Sequence, residues 1–274
     1  MPLNWCDPGH GADISRRSES EPRQACTAAH RSRNHPEAGG RGSAGPRGAA
    51  ETGSRPTAVL ASQLGSGFAV ATAAPKRVDD ALFPEELRYL AHAVDRRRAE
   101  FGTARVCARR ALAELGIAPC PLVPYPDRSP RWPAGVVGSI SHTENCCAVA
   151  VTTDPSILSF GLDIEQYRSL PLGLEPLICT AAERAWLDTQ PSDRRAWLAR
   201  LFFSAKEAFY KCQFGTTGSL IDFQDVALAL DLDEDSFAVA TIARHGSQWQ
   251  RLHAVSGRLR RTGGLIVAAA TLSD

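Results

Sequence analysis

The stretch "FFSAKEAFYKC" (Phe202–Cys212) sets Lys206, Glu207 and Lys211 into an otherwise apolar run. On a helix Ala205, Phe209 and Cys212 share one apolar stripe, Glu207 and Lys211 stand i, i+4 and can meet, and Lys206 lies on a neighbouring face. The plain reading is a helix salt bridge, with Ser204-x-x-Glu207 as a capping box. The chemical reading makes Glu207 a base or a third metal ligand and turns the lysines toward phosphate oxygens. A second stretch, "GLDIE" (161–165), sets Asp163 and Glu165 at i, i+2. On a strand both carboxylates share a face, where they repel unless a cation sits between them. Oxygen-only ligands with room for water suit Mg²⁺, and a solvated strand end with two ordinary acids is the alternative.

Two further stretches supply possible partners. "GSISH" (138–142) ends an apolar run with Ser141 and His142, and it is not the G-x-S-x-G elbow. His142 either caps a turn or donates to a phosphate. "RRRAEFGTAR" (96–105) carries Arg97, Arg98 and Arg105, with Arg109 following. Arg98, Arg105 and Arg109 fall within about 60° of one another on a helix, as a solvated basic face would. P-loop, GxGxxG, HExxH and EF-hand patterns are missing.

These residues need elements to hold them. The 274 residues are enough for one large or two small domains, and the formal net charge of +1 gives no global field for nucleic acid or an anionic membrane. No run approaches the roughly 20 apolar residues of a membrane helix, and "MPLNWCDPGHGADISRRSES" has no signal-peptide core. Eight cysteines form no CxxC pair, and Cys107, Cys146, Cys147 and Cys212 sit in apolar patterns. That predicts buried thiols in a reducing cytoplasm rather than a disulfide framework.

Residues 1–56 are rich in Arg, Gly, Ala, Pro and Ser and are expected to be disordered. From there "FAVATA" (68–73) predicts a strand, and "FPEELRYLAHAV" and "VDRRRAEFGTARVCARRALAELG" predict helices. "GVVGSISH" (135–142), "CCAVAVTT" (146–153) and "SFGLDIEQ" (159–166) predict three strands. Thr180-x-x-Glu183 predicts a capped helix start, Arg194 to Phe214 one or two helices closed by Gly215. "FQDVALAL" (223–230), "FAVATIA" (237–243), "QRLHAVSG" (250–257) and "LIVAAATL" (265–272) predict four more strands. Each half thus has a long basic helix followed by strands ending in a small-residue strand, an echo that suggests two similar α+β halves.

In this order, the Arg-rich helix, "WPAGVVGSISH", "GLDIE" and "FSAKEAFYK" resemble the 4'-phosphopantetheinyl transferases, nearest the monomeric group serving siderophore, nonribosomal peptide and polyketide synthases. The resemblance runs from about Val59 to Asp274. It implies an α+β pseudo-dimer with an N-terminal half at 57–160, a C-terminal half at 161–274 and the active site between them. It implies transfer of the phosphopantetheine arm of coenzyme A to a serine of an apo acyl or peptidyl carrier protein, with release of 3',5'-ADP. Asp163 and Glu165 match the family's Mg²⁺ ligands, and Glu207 its third acid, as ligand or general base. Lys206 and Lys211 match lysines near the coenzyme A phosphates. Arg97, Arg105 and His142 match groups holding coenzyme A, chiefly its 3'-phosphate. Glu207 is expected on a helix of the half opposite Asp163 and Glu165. Where a close subgroup has a lysine in the Pro-rich loop this chain has Pro124, and Arg128 is a candidate substitute.

The expectation is a cytoplasmic, Mg²⁺-dependent monomer whose partners are coenzyme A and carrier proteins, not nucleic acid or membrane. A serine hydrolase built on Ser141, His142 and Asp163 is a rival enzyme, disfavoured by the missing elbow. An inactive carrier-protein docking module is a rival binding role, disfavoured by the intact acids and lysines.

Overall fold

The computed structural model describes the backbone from Ser54 to Asp274, with side chains from Thr57 onward. The segment 1–53, most of the stretch expected to be disordered, lies outside the described residues. Positions 54–56 of that stretch belong to helix α1 (Ser54–Leu64), an element that the sequence pattern does not announce. Buried Leu60 anchors α1 on the core, and Thr57 Oγ1 hydrogen-bonds Thr72 Oγ1 at 2.6 Å.

Two antiparallel sheets organise the chain. The first runs in the order β1 (Ala69–Ala73), β3 (Cys147–Thr152), β2 (Val137–His142). Helix α3 (Asp95–Glu114) packs across it, burying Cys107, Ala108, Ala111 and Leu112 against Ala69, Val149 and Val151. The second has five strands in the order β4 (Ile157–Gln166), β8 (Leu265–Ser273), β7 (Ser256–Thr262), β6 (Ser236–Ile242), β5 (Val226–Asp231). Helix α6 (Arg195–Thr217) covers it, with Phe202, Ala205, Phe209 and Cys212 in the core. The expected α+β class holds, and a long helix on an antiparallel sheet recurs in each half. The two sheets are unequal, with three and five strands.

The halves meet at two sheet edges. The free edge of β4 faces β2, and the β2 hydroxyls replace a backbone ladder there. Ser139 Oγ accepts from Leu162 N at 3.0 Å and Ser141 Oγ from Ile164 N at 3.1 Å. Both donors are buried backbone groups that would otherwise go unpaired. Phe160, Leu162 and Ile164 project from the other face of β4 into a shared core with Leu60, Val70 and Ala148.

Three predicted elements change. Arg195 to Thr217 is a single helix that runs through Gly215 and ends at Gly218, whose φ of 62° is the left-handed cap only glycine adopts cheaply. Ser204 is therefore mid-helix and caps nothing. "QRLHAVSG" is a strand only at its end, where Ser256 and Gly257 open β7. Before that, Trp249 and Leu252 are buried in helix α7 (Ser247–Arg251) and the 3-10 turn Leu252–Ala254 that follows it. The helix expected over 83–94 is only α2 (Pro84–Tyr89).

The basic face of α3 also divides. Arg98 Nη1 donates to Asp79 at 3.2 Å, and Arg109 Nη1 reaches both oxygens of the fully buried Glu86 at 2.8 and 3.0 Å. Glu86 further accepts from Leu122 N, which ties the Pro-rich loop down. These two arginines build structure, leaving Arg97 and Arg105 for the open side.

Candidate active site

One glycine brings α6 onto β4. A Cβ at Gly161 would lie 1.9 Å from the Ala208 carbonyl oxygen, so helix and strand backbones touch there. The alternation of β4 then points Ser159, Gly161, Asp163 and Glu165 at α6. Along the helix they meet Cys212, Ala208, Ser204 with Lys211, and Arg200 in turn. Ser159 Oγ donates to Cys212 O at 2.6 Å. Asp163 Oδ2 accepts from Ser204 Oγ at 2.8 Å, and its Oδ1 accepts from Lys211 Nζ at 2.8 Å and Ser141 Oγ at 3.0 Å. Glu165 Oε2 accepts from Arg200 Nη1 at 3.0 Å. Asp163, Glu165 and Glu207 therefore belong to one half, not to opposite halves, because α6 covers the sheet that contains β4.

Beside this row opens a cleft of about 420 Å³ lined from both halves. Asp163, Glu165, Glu207 and Lys211 line it from the C-terminal half, and Arg97, Arg105 and His142 from the other. Arg128 lines it too, at a left-handed φ of 69°. An apolar wall of Leu170, Pro171, Leu174, Ile178 and Phe203 completes it.

Burial sets the charges. Desolvation first, then repulsion from Asp163, pushes Glu165 up to about 7 although Arg200 and Lys211 oppose it. Glu207 is pushed up to about 8, again by desolvation first; Lys211 pulls it down while Asp163 and Glu165 add to the rise. Glu165 and Glu207 are thus pushed toward their protonated forms, a charge imbalance that an extra cation would relieve. Burial pulls His142 below its ordinary value against the attraction of Glu100, whose Oε2 lies 4.0 Å from Nε2.

Arg97, Phe101 and Arg105 stand at i, i+4 and i+8 on α3. The two guanidinium carbons lie 5.8 and 3.9 Å from the Phe101 ring centre, so that ring supports both. Arg105 Nε donates to Leu122 O at 2.6 Å. Burial lowers Arg105 to about 10, which keeps it charged at neutral pH.

Lys206 is elsewhere. Its ammonium is fully buried on the far side of α6, 2.7 Å from Glu183 Oε2, and donates to Ile178 O at 2.8 Å and Phe223 O at 2.7 Å. The expected place beside the coenzyme A phosphates is corrected: Lys206 sits about 100° around the helix from Glu207, and that rotation turns it into the core.

Sequence reasoning passed over Arg200, Ser204, Glu100 and the apolar wall. Arg200, Ser204, Glu207 and Lys211 are spaced 4, 3 and 4, one helical stripe, and extending that period backward from Glu207 would have found the first two. The hydrolase alternative loses its nucleophile, because Ser141 Oγ donates to Asp163 and accepts from Ile164 N.

Comparison with known proteins gives the family. Residues 84–152 match the model of the 4'-phosphopantetheinyl transferase N-terminal domain, and residues 159–270 that of the 4'-phosphopantetheinyl transferase superfamily. The chain is 38% identical over 201 residues to 4'-phosphopantetheinyl transferase Svp of Streptomyces mobaraensis, covering 72% of this chain and 81% of the relative. The chain belongs to the 4'-phosphopantetheinyl transferase superfamily. It is also 34% identical to PptT of Mycobacterium tuberculosis, covering 69% of this chain and 85% of that one. Enterobactin synthase component D of Escherichia coli is 32% identical, covering 54% and 70%. As a phosphopantetheinyl transferase, the enzyme moves the phosphopantetheine arm of coenzyme A to a carrier protein. No helix among the described residues is long and apolar enough to cross a membrane.

Proposed function

We propose that this phosphopantetheinyl transferase binds coenzyme A across the cleft, with its phosphates toward Arg97, Arg105 and His142 and its pyrophosphate near Lys211 and the acid row. The observation that carries this reading is one cleft that gathers Arg97, Arg105 and His142 from one half and Asp163, Glu165, Glu207 and Lys211 from the other. A serine hydroxyl of the acceptor forms the new P–O bond to the pantetheine-side phosphate. The bond from that phosphorus to the bridging oxygen breaks, and 3',5'-ADP leaves. The serine proton passes to Glu207, which must first be ionised. Lys211 places positive charge beside the pyrophosphate, where negative charge grows during the displacement.

Asp163, Glu165 and Glu207 would hold Mg²⁺. Their all-oxygen donor chemistry fits it, and so does the repulsion that raises Glu165 and Glu207. No three acid, His or Cys side chains converge at ligand distance among the described residues. Asp163 is bound to Lys211 and Glu165 to Arg200, so these carboxylates would exchange a protein cation for the ion. When bound, the ion would neutralise pyrophosphate charge.

Acceptor specificity for acyl or peptidyl carriers, a cytoplasmic location and a monomeric state complete the proposal, with siderophore, peptide or polyketide assembly as the setting. One experiment tests it. The protein is incubated with coenzyme A and apo carrier proteins of both kinds, with Mg²⁺ or with a chelator, and the carriers are weighed intact. A gain of one phosphopantetheine that requires the metal is expected. Transfer at full rate in chelator would overturn the metal assignment.

A further inference from the structure

A buried lysine that the transfer chemistry does not use stands one residue from Glu207. Lys206 and Glu183 are both shut off from solvent and pair at 2.7 Å. A buried ion pair is costly to desolvate and persists only when further hydrogen bonds satisfy both groups. Both groups here are well supplied. Glu183 Oε2 accepts from Thr180 N and its Oε1 from Leu228 N, each at 2.7 Å. Lys206 donates to Ile178 O and Phe223 O. The pair therefore joins five segments: α6, the end of α4 (Glu175–Ile178), the start of α5 (Ala181–Asp188), the 3-10 turn Phe223–Asp225, and β5.

Only one of those five lines the cleft away from the acids. Ile178 and the chain before it, through Leu174, Pro171 and Leu170, form the apolar wall. Further support comes from Arg195, whose Nε donates to Glu175 at 2.8 Å, from Leu170 N donating to Ala196 O at 2.9 Å, and from the burial of Leu170 and Ile178 in the α6 core. Helix α4 is a single turn. Leu172 and Leu177 point outward, and Gly173 has a left-handed φ of 84°. From the other side Gln224 Nε2 donates to the carbonyls of Pro176, Leu177 and Cys179, all at 3.2 Å. Lys206 and Gln224 thus hold the last carbonyls of the wall between them.

We infer that Lys206 is a positioning residue: with Glu183 it fixes the apolar wall of residues 170–178 in the pose that receives the acceptor beside Glu207. The wall residues that line the cleft are apolar, and the arginines suited to coenzyme A phosphates lie across it on α3. Its position thus bears on the acceptor end of the reaction more than on coenzyme A. This inference rests on the transfer reading for its kinetic consequence but not for its structural one.

The test compares Lys206→Met with Gln224→Ala. The first keeps the stem and removes the ammonium. The second changes an exposed side chain and leaves no buried charge, so it remains informative even where Lys206→Met does not fold. Hydrogen exchange should speed up at least tenfold in the segment 170–180 while α3 and β2 keep wild-type protection. Coenzyme A affinity by calorimetry should stay within about threefold, while KM for the carrier protein rises at least fivefold. An unchanged exchange rate at 170–180 in both variants overturns the inference. So does a tenfold loss of coenzyme A affinity with unaltered exchange, which would put the ammonium on a phosphate. A lower melting temperature with wild-type carrier KM would make the pair structural only. A wild-type protein that transfers nothing would refute the transfer reading instead, and the exchange data would still decide the positioning claim.

Discussion

Replacing Glu207 by glutamine should stabilise the metal-free protein and disable it. The folded pKa of about 8 lies above the ordinary 4.5 of a glutamate, so the folded state holds a proton that the unfolded chain has already lost. A group raised in this way contributes full stability below pH 4.5, and that stability is lost as pH climbs through about 8. Glutamine does not titrate. Wild type and Glu207→Gln should therefore unfold at similar temperatures near pH 4.5. The gap should open from there, widen to about pH 8 and level off, with the variant the more stable.

The size follows from the shift. About 3.5 pK units, at roughly 1.4 kcal/mol each, set an upper bound near 5 kcal/mol. Glu207 lines an open cleft, and water there screens much of that, leaving roughly 2 kcal/mol. In a chain of this size about 2 kcal/mol moves the melting temperature by roughly 4–8 °C. Scanning calorimetry in chelator at pH 5, 7 and 9 reads the gap directly. Mg²⁺ should raise the wild-type midpoint at pH 9 more than that of the variant, while transfer by the variant falls at least about a hundredfold. A variant less stable than wild type by a constant amount at every pH would refute the reasoning. Glu207 would then be a charged partner of Lys211 throughout, which is the plain salt-bridge reading of this helix.

Other outcomes follow from the same row of contacts. Asp163→Ala should cut transfer about 10²–10³-fold with circular dichroism unchanged, and a smaller loss would leave Asp163 a helix anchor for Ser204 and Lys211. Arg105→Ala should weaken coenzyme A at least tenfold in calorimetry and dephospho-coenzyme A less than threefold, because only the former carries a 3'-phosphate; equal weakening would refute the contact. Gly161→Ala should cost about 3 kcal/mol or more in urea unfolding, since its methyl meets the Ala208 carbonyl. Gly215→Ala, whose methyl would meet only the Ser159 hydroxyl at 2.5 Å, should cost about 1 kcal/mol. Equal costs would show that α6 does not bear on Gly161.

Period and composition carried most of the architecture into view. The strands from β1 to β4 and the strand β8 lie within about two residues of their expected bounds, because alternating apolar residues between turn residues allow little else. The capping box at Thr180 forms as its residues require. Errors came where a tertiary contact overrode a local signal. Gly215 looks like a stop, but its missing side chain makes room for Ser159 on β4, and the helix continues to Gly218. "QRLHAVSG" looks apolar and alternating, yet its first five residues finish helix α7 and its 3-10 turn, with Leu252 buried beside Trp249. Helix α1 follows a stretch too poor in large apolar residues to announce an element.

The site divides along the same line. Asp163, Glu165, Glu207 and Lys211 were legible because two local periods, two on a strand and four on a helix, each place a pair on one face. Lys206 was assigned by its place in a motif, and the motif was silent about direction. Adjacent helical residues diverge by about 100°. With Glu207 facing β4, Lys206 must point away from the acids, and a fully buried lysine then requires a carboxylate on that side. Glu183 is that carboxylate, and the structure pairs it with Lys206 while it also accepts from Thr180 N. The spacing that joined Glu207 to Lys211 was therefore also sufficient to separate Lys206 from both.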